Sequence, residues 1–308
     1  MTGQRIVIAG ASGFIGRYLM ARFVDDGDTV VTIGRQGADV TWGDSAGIEA
    51  ALNGADLLIN LAGKSVNCRY TLRNKKRIMG SRVLTTGELG RAIESVEVPP
   101  PLWLNASTAT IYRHADDRGM TEDDGELGTG FSVNVATAWE REFYAHQRAG
   151  VRQAALRLAI VLGDGSALRP LLALARLGLG GPQIGGPTPR GGQRFSWVHI
   201  EDVYRVIRFV QEVDELSGAV NVSTPHPVTN RELMATIRQV VGIRFGVPAW
   251  RWMLELGAWV LRTETELLLK SRWVLPGRVQ AAGFEFRHPE LEPAIREITE
   301  TSATKTGG

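Results

Sequence analysis

The sequence predicts an α/β fold: a doubly wound parallel sheet with a smaller helix-rich C-terminal domain. Three observations predict it. Short β-rich runs alternate with helical patterns over the first half, a glycine trio follows the first run directly, and the composition changes after Gly163. Strands are expected at 5–9, 29–33, 38–42, 56–60, 102–106 and 153–159, and helices at 14–26, 45–52, 71–95 and 132–149. Such alternation gives a parallel sheet whose two faces are both covered by helices.

The first element is the most informative. Ile6-Val7-Ile8-Ala9 is an apolar run that reads as a buried parallel strand, and it breaks into Gly10-Ala11-Ser12-Gly13-Phe14-Ile15-Gly16. A helical pattern, Tyr18, Leu19 and Phe23, follows. In G-x-x-G-x-x-G one glycine makes the tight turn, one lets backbone approach a pyrophosphate, and one lets the helix pack closely on the strand. Free N–H groups and the positive end of the helix dipole then hold phosphate. The fold is therefore Rossmann-type. The expected dinucleotide contacts in this stretch are Gly10, Ser12, Gly13, Phe14, Ile15 and Gly16.

The second strand chooses the cofactor. A carboxylate at its end would bind the adenine ribose 2′-hydroxyl of NAD. Here the run is Val30-Val31-Thr32-Ile33-Gly34-Arg35, with glycine in that place and arginine next. A planar guanidinium suits a 2′-phosphate, so NADP(H) is the expected cofactor. Asp44, after the third strand, either accepts from the adenine amine or caps the next helix.

Composition sets the limits. The chain has 308 residues, 44% of them hydrophobic, and a formal net charge of +2, which gives no electrostatic case for a nucleic-acid or membrane-surface protein. One cysteine, Cys68, excludes an internal disulfide framework and fits a reducing, cytoplasmic setting. No secretory signal is read at the start, where the first apolar run is a strand. The most apolar helical stretches, Leu171–Leu179 and Trp250–Leu261, are interrupted by Arg176, Arg251 and Glu255 and fall short of a membrane span.

From Gly163 the chain changes character. Residues 178–194 hold seven glycines and three prolines, a long loop of the kind that serves as a lid. A strand at 194–198, a helix near 202–212 and a strand at 219–222 are expected to return to the sheet. The domains read as 1–162, nucleotide-binding and returning at about 194–224, and 163–193 with 225–300, substrate and lid. Residues 301–308 read as a disordered tail. Trp250, Trp252, Trp259 and Trp273 line a pocket, form a dimer face or pack a core.

Several motifs together resemble the extended short-chain dehydrogenase/reductases: Gly10–Gly16, Asn60-Leu61-Ala62-Gly63, Ser107-Thr108-Ala109-Thr110-Ile111-Tyr112, and Phe195-Ser196-Trp197-Val198-His199-Ile200-Glu201-Asp202. Arg69-Tyr70, Ser81-Arg82-Val83, Arg176–Pro182, Val274–Arg278 and Ala282-Gly283-Phe284 narrow this to an atypical epimerase-like subgroup that carries a C-terminal domain of unknown function. The resemblance covers residues 5 to about 298. It implies a fold, a cofactor, and Leu61, Ala62, Gly63 and Ser107 as further cofactor contacts. It names no substrate.

The wider family's machinery is a Tyr-x-x-x-Lys pair after the fifth strand, with a Ser or Thr before it. The tyrosine exchanges a proton with the substrate oxygen while the lysine lowers its pKa. This chain puts Phe131 and Val135 in that register. Tyr18, Tyr144 and Tyr204 have arginine four residues on (Arg22, Arg148, Arg208), a helix-face spacing rather than a catalytic pair. Thr108 aligns with the family's Ser/Thr, and Tyr112 is the expected substitute acid, ahead of His114. His199 is expected to anchor its loop, with Glu201 or Asp202 capping the next helix. No metal-ligand spacing is found.

The basic run Arg69, Arg73, Lys75, Lys76, Arg77 and Arg82 receives an anion or is a solvated helix face, and no nucleic-acid reader is present. Expected partners are a small-molecule substrate, no nucleic acid and no membrane, for a monomer or homodimer. Two functions follow: an NADP(H)-dependent oxidoreductase or epimerase-like enzyme, or a catalytically weak NADPH-binding sensor or interaction protein. Plant and cyanobacterial members of the subgroup, linked to plastid or cell division, keep the second class open.

Overall fold

The structure is a computed structural model that describes residues 3–166, 168–184, 188, 192–250 and 271–306. Its centre is a seven-stranded parallel sheet. In chain order the strands are β1 (Arg5–Ala9), β2 (Thr29–Gly34), β3 (Val40–Thr41), β4 (Leu57–Asn60), β5 (Leu102–Thr108), β6 (Arg152–Leu158) and, later in the chain, β11 (Gly218–Val222). Across the sheet the order is β11-β6-β5-β4-β1-β2-β3. The strand order reverses between β1 and β4, where ligands of doubly wound sheets bind.

Alternation of side chains along β1 explains the layers. Ile6 and Ile8 face α1 (Phe14–Asp25) through Leu19 and Phe23, and α6 (Ile200–Glu212) through Val203, Val206, Ile207 and Val210. Val7 and Ala9 face α2 (Ser45–Leu52), α3 (Leu72–Ser95) and α4 (Phe131–Ala145) through Ile48, Leu52, Leu89, Ile93 and Phe143. Every apolar residue of β1 and β4 is fully buried. Burial of side chains this size contributes roughly 1.5–3 kcal/mol each. Trp103 on β5 meets Phe143 edge to face, with ring centroids 4.7 Å apart.

A second core lies beyond the sheet. It joins β7 (Ile160–Leu162), α5 (Leu168–Arg176), β10 (Trp197–His199), α7 (Asn230–Val240) and α9 (Leu291–Thr306) through Leu162, Leu172, Trp197, Leu233, Ile237 and Ile295. Two-residue strands β8 (Gln183–Ile184), β9 (Arg194–Phe195), β12 (Val228–Thr229) and β13 (Ala249–Trp250) also lie in this half of the chain, while the short α8 (Gly277–Ala281) buries Val279 in the core of the main sheet. Among the described residues no helix is long and apolar enough to cross a membrane.

Four expectations are corrected. The strand expected at 194–198 splits and does not join the main sheet: Arg194–Phe195 pairs with β12, and Trp197–His199 runs parallel to β7. Of the elements expected to return, β11 does so, beside β6. The strand expected at 38–42 shortens to Val40–Thr41: the exposed Asp39 turns toward β2, its carboxylate accepting from the Thr32 backbone N–H (2.8 Å) and hydroxyl (2.7 Å). The helix expected at 132–149 ends at Ala145, where the chain turns toward Gly150 at φ +82°. The tail expected to be disordered from 301 carries helical backbone to Thr306, continuing α9 from its packed end at Ile295 and Ile298. Trp252, Trp259 and most of the apolar stretch 250–261 lie outside the described residues.

Candidate functional site

The glycine turn has the geometry the spacing predicts. Gly10 adopts φ +85°, and a Cβ there would lie 2.8 Å from the Ala62 backbone nitrogen. Gly16 packs α1 onto the turn, since a Cβ would lie 2.6 Å from Ala11 Cα. At Gly13 the space is open: only the Gly10 carbonyl lies near, at 3.5 Å. No side chain caps α1 at Gly13, so the helix presents its first N–H groups outward, past Ser12, Phe14 and Ile15. These features suit a bound phosphate.

Register brings the neighbouring turns alongside. Ala9 pairs with Asn60, and Asn60 with Asn105, so the turn after β4 and the end of β5 lie level with the glycine turn. The buried Asn60 side chain fixes that turn. Its amide donates to Thr86 Oγ1 (2.9 Å) and Asn105 Oδ1 (2.7 Å), and its carbonyl oxygen accepts from the Ala62 N–H (3.0 Å). Leu61, Ala62 and Gly63 are thereby held beside Gly10.

At the end of β2, Arg35 is exposed and its guanidinium has no protein partner among the described residues. Asp44 caps α2, accepting from the Gly47 N–H at 3.0 Å.

A cavity of about 220 Å³ opens at the ends of β5 and β6. Ser107, Thr108 and Leu158 form its floor, Phe131, Val135 and Trp139 of α4 one wall, and Tyr70, Ile78 and Arg82 the other. Phe131 and Val135 both line this cavity, and neither side chain is a proton donor or a cation. Thr108 accepts from the Thr110 N–H (3.1 Å) and donates to Thr110 Oγ1 (3.1 Å), closing a short 3₁₀ turn at Ala109–Ile111. Ser107 donates to Glu140 (2.6 Å), which is itself gripped by Arg157 through Nε (2.9 Å) and Nη2 (2.8 Å).

Tyr112 is not in this cavity, which corrects its expected role as acid. Its ring is 1% exposed, and its hydroxyl donates to Asn221 Oδ1 (2.9 Å) and accepts from Arg157 Nη1 (2.8 Å). Burial also raises its pKa above the usual phenol value. A group so enclosed cannot reach a substrate oxygen. His114 is likewise tied, between the Ser271 N–H (3.0 Å) and Asp116 (3.0 Å).

The sequence reading gives Tyr70 no role, and Arg82 only a place among six charges of a basic run that receives an anion or is a solvated helix face; both line the cavity. Both sit in the sequence motifs that carry the family resemblance. The Tyr70 ring meets Phe131 edge to face at 4.8 Å, and its hydroxyl lies 3.5 Å from Ser132 Oγ.

His199, not Glu201 or Asp202, caps α6: its Nδ1 accepts from the Glu201 N–H at 3.3 Å. The carboxylates are used elsewhere. Asp202 accepts from the Arg287 and His288 N–H groups (2.8 and 2.9 Å), and Glu201 accepts from Tyr18 and Arg22. Among the described residues, His199, His288 and Glu297 form one cluster with metal-compatible spacing. The cap argues against that use, because an Nδ1 acceptor leaves the proton on Nε2, the nitrogen a metal would need.

Two of the three Tyr-x-x-x-Arg pairs are held in hydrogen-bond networks, and in the third Arg148 donates to the Ile93 carbonyl rather than to Tyr144. Tyr18 and Arg22 share Glu201, while Arg208 donates to Tyr204 at 2.9 Å.

Comparison with known proteins agrees with this geometry. The profile of a family described as "NAD dependent epimerase/dehydratase family" matches residues 6–223, and that of a domain of unknown function, DUF1731, matches residues 247–298. The chain is 31% identical over 304 residues to the epimerase family protein YfhF of Bacillus subtilis, covering 96% of this chain and 98% of that protein. Among solved structures, human epimerase family protein SDR39U1 (isoform 2), crystallised with NADPH, superposes with TM-score 0.85 at 29% identity. That match covers 96% of this chain and 99% of the human one. A nucleoside-diphosphate sugar epimerase of Corynebacterium glutamicum gives TM-score 0.75 at 25% identity, covering 96% of this chain and 58% of that one. With the glycine turn, the β4 turn and the cavity of one family held in one sheet, the chain belongs to the NAD dependent epimerase/dehydratase family.

Proposed function

We propose that this chain binds NADP(H) along the Gly10–Gly16 turn and transfers hydride to or from a small molecule in the adjoining cavity, as an atypical short-chain dehydrogenase/reductase. The observation that carries the reading is the alignment of the open Gly13 turn with the cavity floor at Ser107 and Thr108. The human relative crystallised with NADPH supports the same cofactor here. Gly13, Phe14 and Ile15 would hold the pyrophosphate, and Leu61, Ala62, Gly63 and Ser107 would flank the ribose and nicotinamide side. Arg35 would meet the 2′-phosphate. Asp44, already bonded to its own helix, keeps a second carboxylate oxygen for the adenine amine.

Thr108 is the group placed to polarise a substrate oxygen, its hydroxyl turning from Thr110 toward the cavity. The cofactor supplies the hydride chemistry. The protein contributes position, a largely apolar wall against water, and this one hydroxyl. Residues 163–193 and 225–300 are assigned to the substrate side, and the protein acts in the cytoplasm on this reading.

The alternative, a catalytically weak NADPH-binding sensor, is supported by the cavity wall: Phe131 and Val135, which the sequence aligns with the family's tyrosine and lysine, line it with side chains that carry no proton to exchange. A screen of aldehydes, ketones and quinones with NADPH separates the two. Enzymatic turnover should fall at least tenfold in Thr108→Val and stay within a fewfold in Tyr112→Phe. No turnover across the screen would favour the sensor, and turnover indifferent to Thr108 would move the chemistry elsewhere.

A further inference from the structure

Two guanidinium groups lie at the cavity, and they are treated differently. Arg157, behind the floor, is neutralised by Glu140 through two hydrogen bonds, at 2.9 and 2.8 Å. Arg82 lines the cavity itself and has no carboxylate partner among the described residues. One nitrogen, Nη1, donates to the carbonyls of Lys64 and Ile78, each at 3.1 Å. The guanidinium is further held over Trp139, with Cζ 5.0 Å from the ring centroid. It presses against Gly63, where a Cβ would lie 3.1 Å from Cζ, so the glycine makes room for it.

The remaining nitrogens, Nε and Nη2, have no protein partner among the described residues. Burial opposes this charge: it pulls the Arg82 pKa down to about 10, and the ionisable neighbour that offsets this is Tyr70 rather than a carboxylate. A partly buried charge without a counterion is expensive unless a ligand pairs with it. The rest of the lining is apolar or hydroxylic, with Phe131, Ser132, Val135 and Trp139 from α4 and Tyr70 and Ile78 facing them.

We propose that Arg82 is the anchor for an anionic group, a carboxylate or phosphate, of the molecule that fills this cavity, with the Tyr70 and Ser132 hydroxyls completing its hydrogen bonds. The inference rests on the cavity being the substrate site. A guanidinium fixed on one nitrogen and open on two matches the two oxygens of such a group. The cavity is smaller than those that take drug-sized ligands, so the substrate is a small organic acid or phosphate.

The anion has two possible sources, substrate or cofactor, and the test separates them. Calorimetry would measure benzoate, benzamide and inorganic phosphate binding to the NADPH-saturated protein, and NADPH binding to the free protein, for wild type, Arg82→Met and Arg82→Lys. Benzoate or phosphate affinity should fall about tenfold or more in Arg82→Met and recover in part in Arg82→Lys. Benzamide and NADPH affinities should stay within about twofold. Melting temperature and circular dichroism establish that each variant is folded.

Benzoate and phosphate binding that Arg82→Met leaves unchanged, or no binding of either to wild type at tens of millimolar, would overturn the proposal. So would a tenfold loss confined to NADPH, which would give Arg82 to a cofactor phosphate. If wild type binds no NADPH, the functional reading fails separately, and the benzoate and phosphate measurements are decided on the nucleotide-free protein.

Discussion

Tyr70 and Phe131 meet edge to face across the cavity, ring centroids 4.8 Å apart at 66°. The first lies in the loop just before α3 and the second in the first turn of α4, in the register that the sequence aligns with the wider family's tyrosine. Lys75 lies over the other side of this contact, its ammonium 5.2 Å from the Phe131 centroid. Phe131 itself carries no proton to donate, and the phenol in this contact belongs to Tyr70.

Restoring that acid is a direct test of how the site is built. Phe131 and Val135 both line the cavity, so Phe131→Tyr with Val135→Lys sets a phenol and an ammonium one helical turn apart on that wall. General acid–base assistance contributes about 10²–10⁴-fold. Turnover in the NADPH screen should rise at least tenfold in the double variant and little in either single one. A double variant no faster than wild type would show that proton transfer does not limit the reaction.

The glycines of the first turn should separate by function. Gly13 sits at φ −72° with open space beside it, so Gly13→Val should fold normally and lose NADPH binding. Gly16 has no such space: a Cβ meets Ala11 Cα at 2.6 Å and the Gly10 carbonyl at 2.7 Å, all backbone. Gly16→Val should therefore lower the melting temperature itself, by the roughly 1–3 kcal/mol typical of overpacking or more. Urea titrations and NADPH fluorescence on both variants check the contrast.

Acid should weaken the protein partly through His199. Burial, with smaller contributions from His288 and Arg287, pushes its pKa down to about 3 from the ordinary 6.5. The unfolded chain then binds the extra proton between those values. Stability from this residue is full above about pH 6.5 and is lost as pH falls toward 3, with a slope approaching about 1.4 kcal/mol per pH unit. His199→Asn keeps a helix-capping side chain without the titration. Its stability should fall less steeply between pH 6.5 and 4.5 than that of wild type, measured by urea midpoints.

Much of this was legible in the chain because the signals were local. The run Ile6–Ala9 and the spacing of Gly10, Gly13 and Gly16 each announce a strand and a tight turn within a few residues. What was not legible depends on distance or direction. Tyr112 follows β5 as a catalytic residue would, but whether its hydroxyl turns toward the cavity depends on Arg157 and Asn221, 45 and 109 residues away. The sequence at Trp197–His199 reads as a buried strand and is one, yet nothing in it states that Ile160–Leu162 is its partner. Arg82 reads as one charge among six in a basic run that receives an anion or is a solvated helix face. Its cavity position follows from the packing of α3 against Trp139, which a charge count does not contain.

The most direct test of the account is the affinity of the two nucleotides for wild type and Arg35→Ala. Gly34 offers no carboxylate to a ribose 2′-hydroxyl, and the Arg35 guanidinium is exposed and unpaired among the described residues. A charge-assisted contact to the 2′-phosphate contributes about 1.5–3 kcal/mol. Calorimetric titration should therefore find NADPH bound at least tenfold more tightly than NADH by wild type, with the preference largely gone in Arg35→Ala. Equal affinities in wild type, or a preference that Arg35→Ala leaves intact, would contradict it.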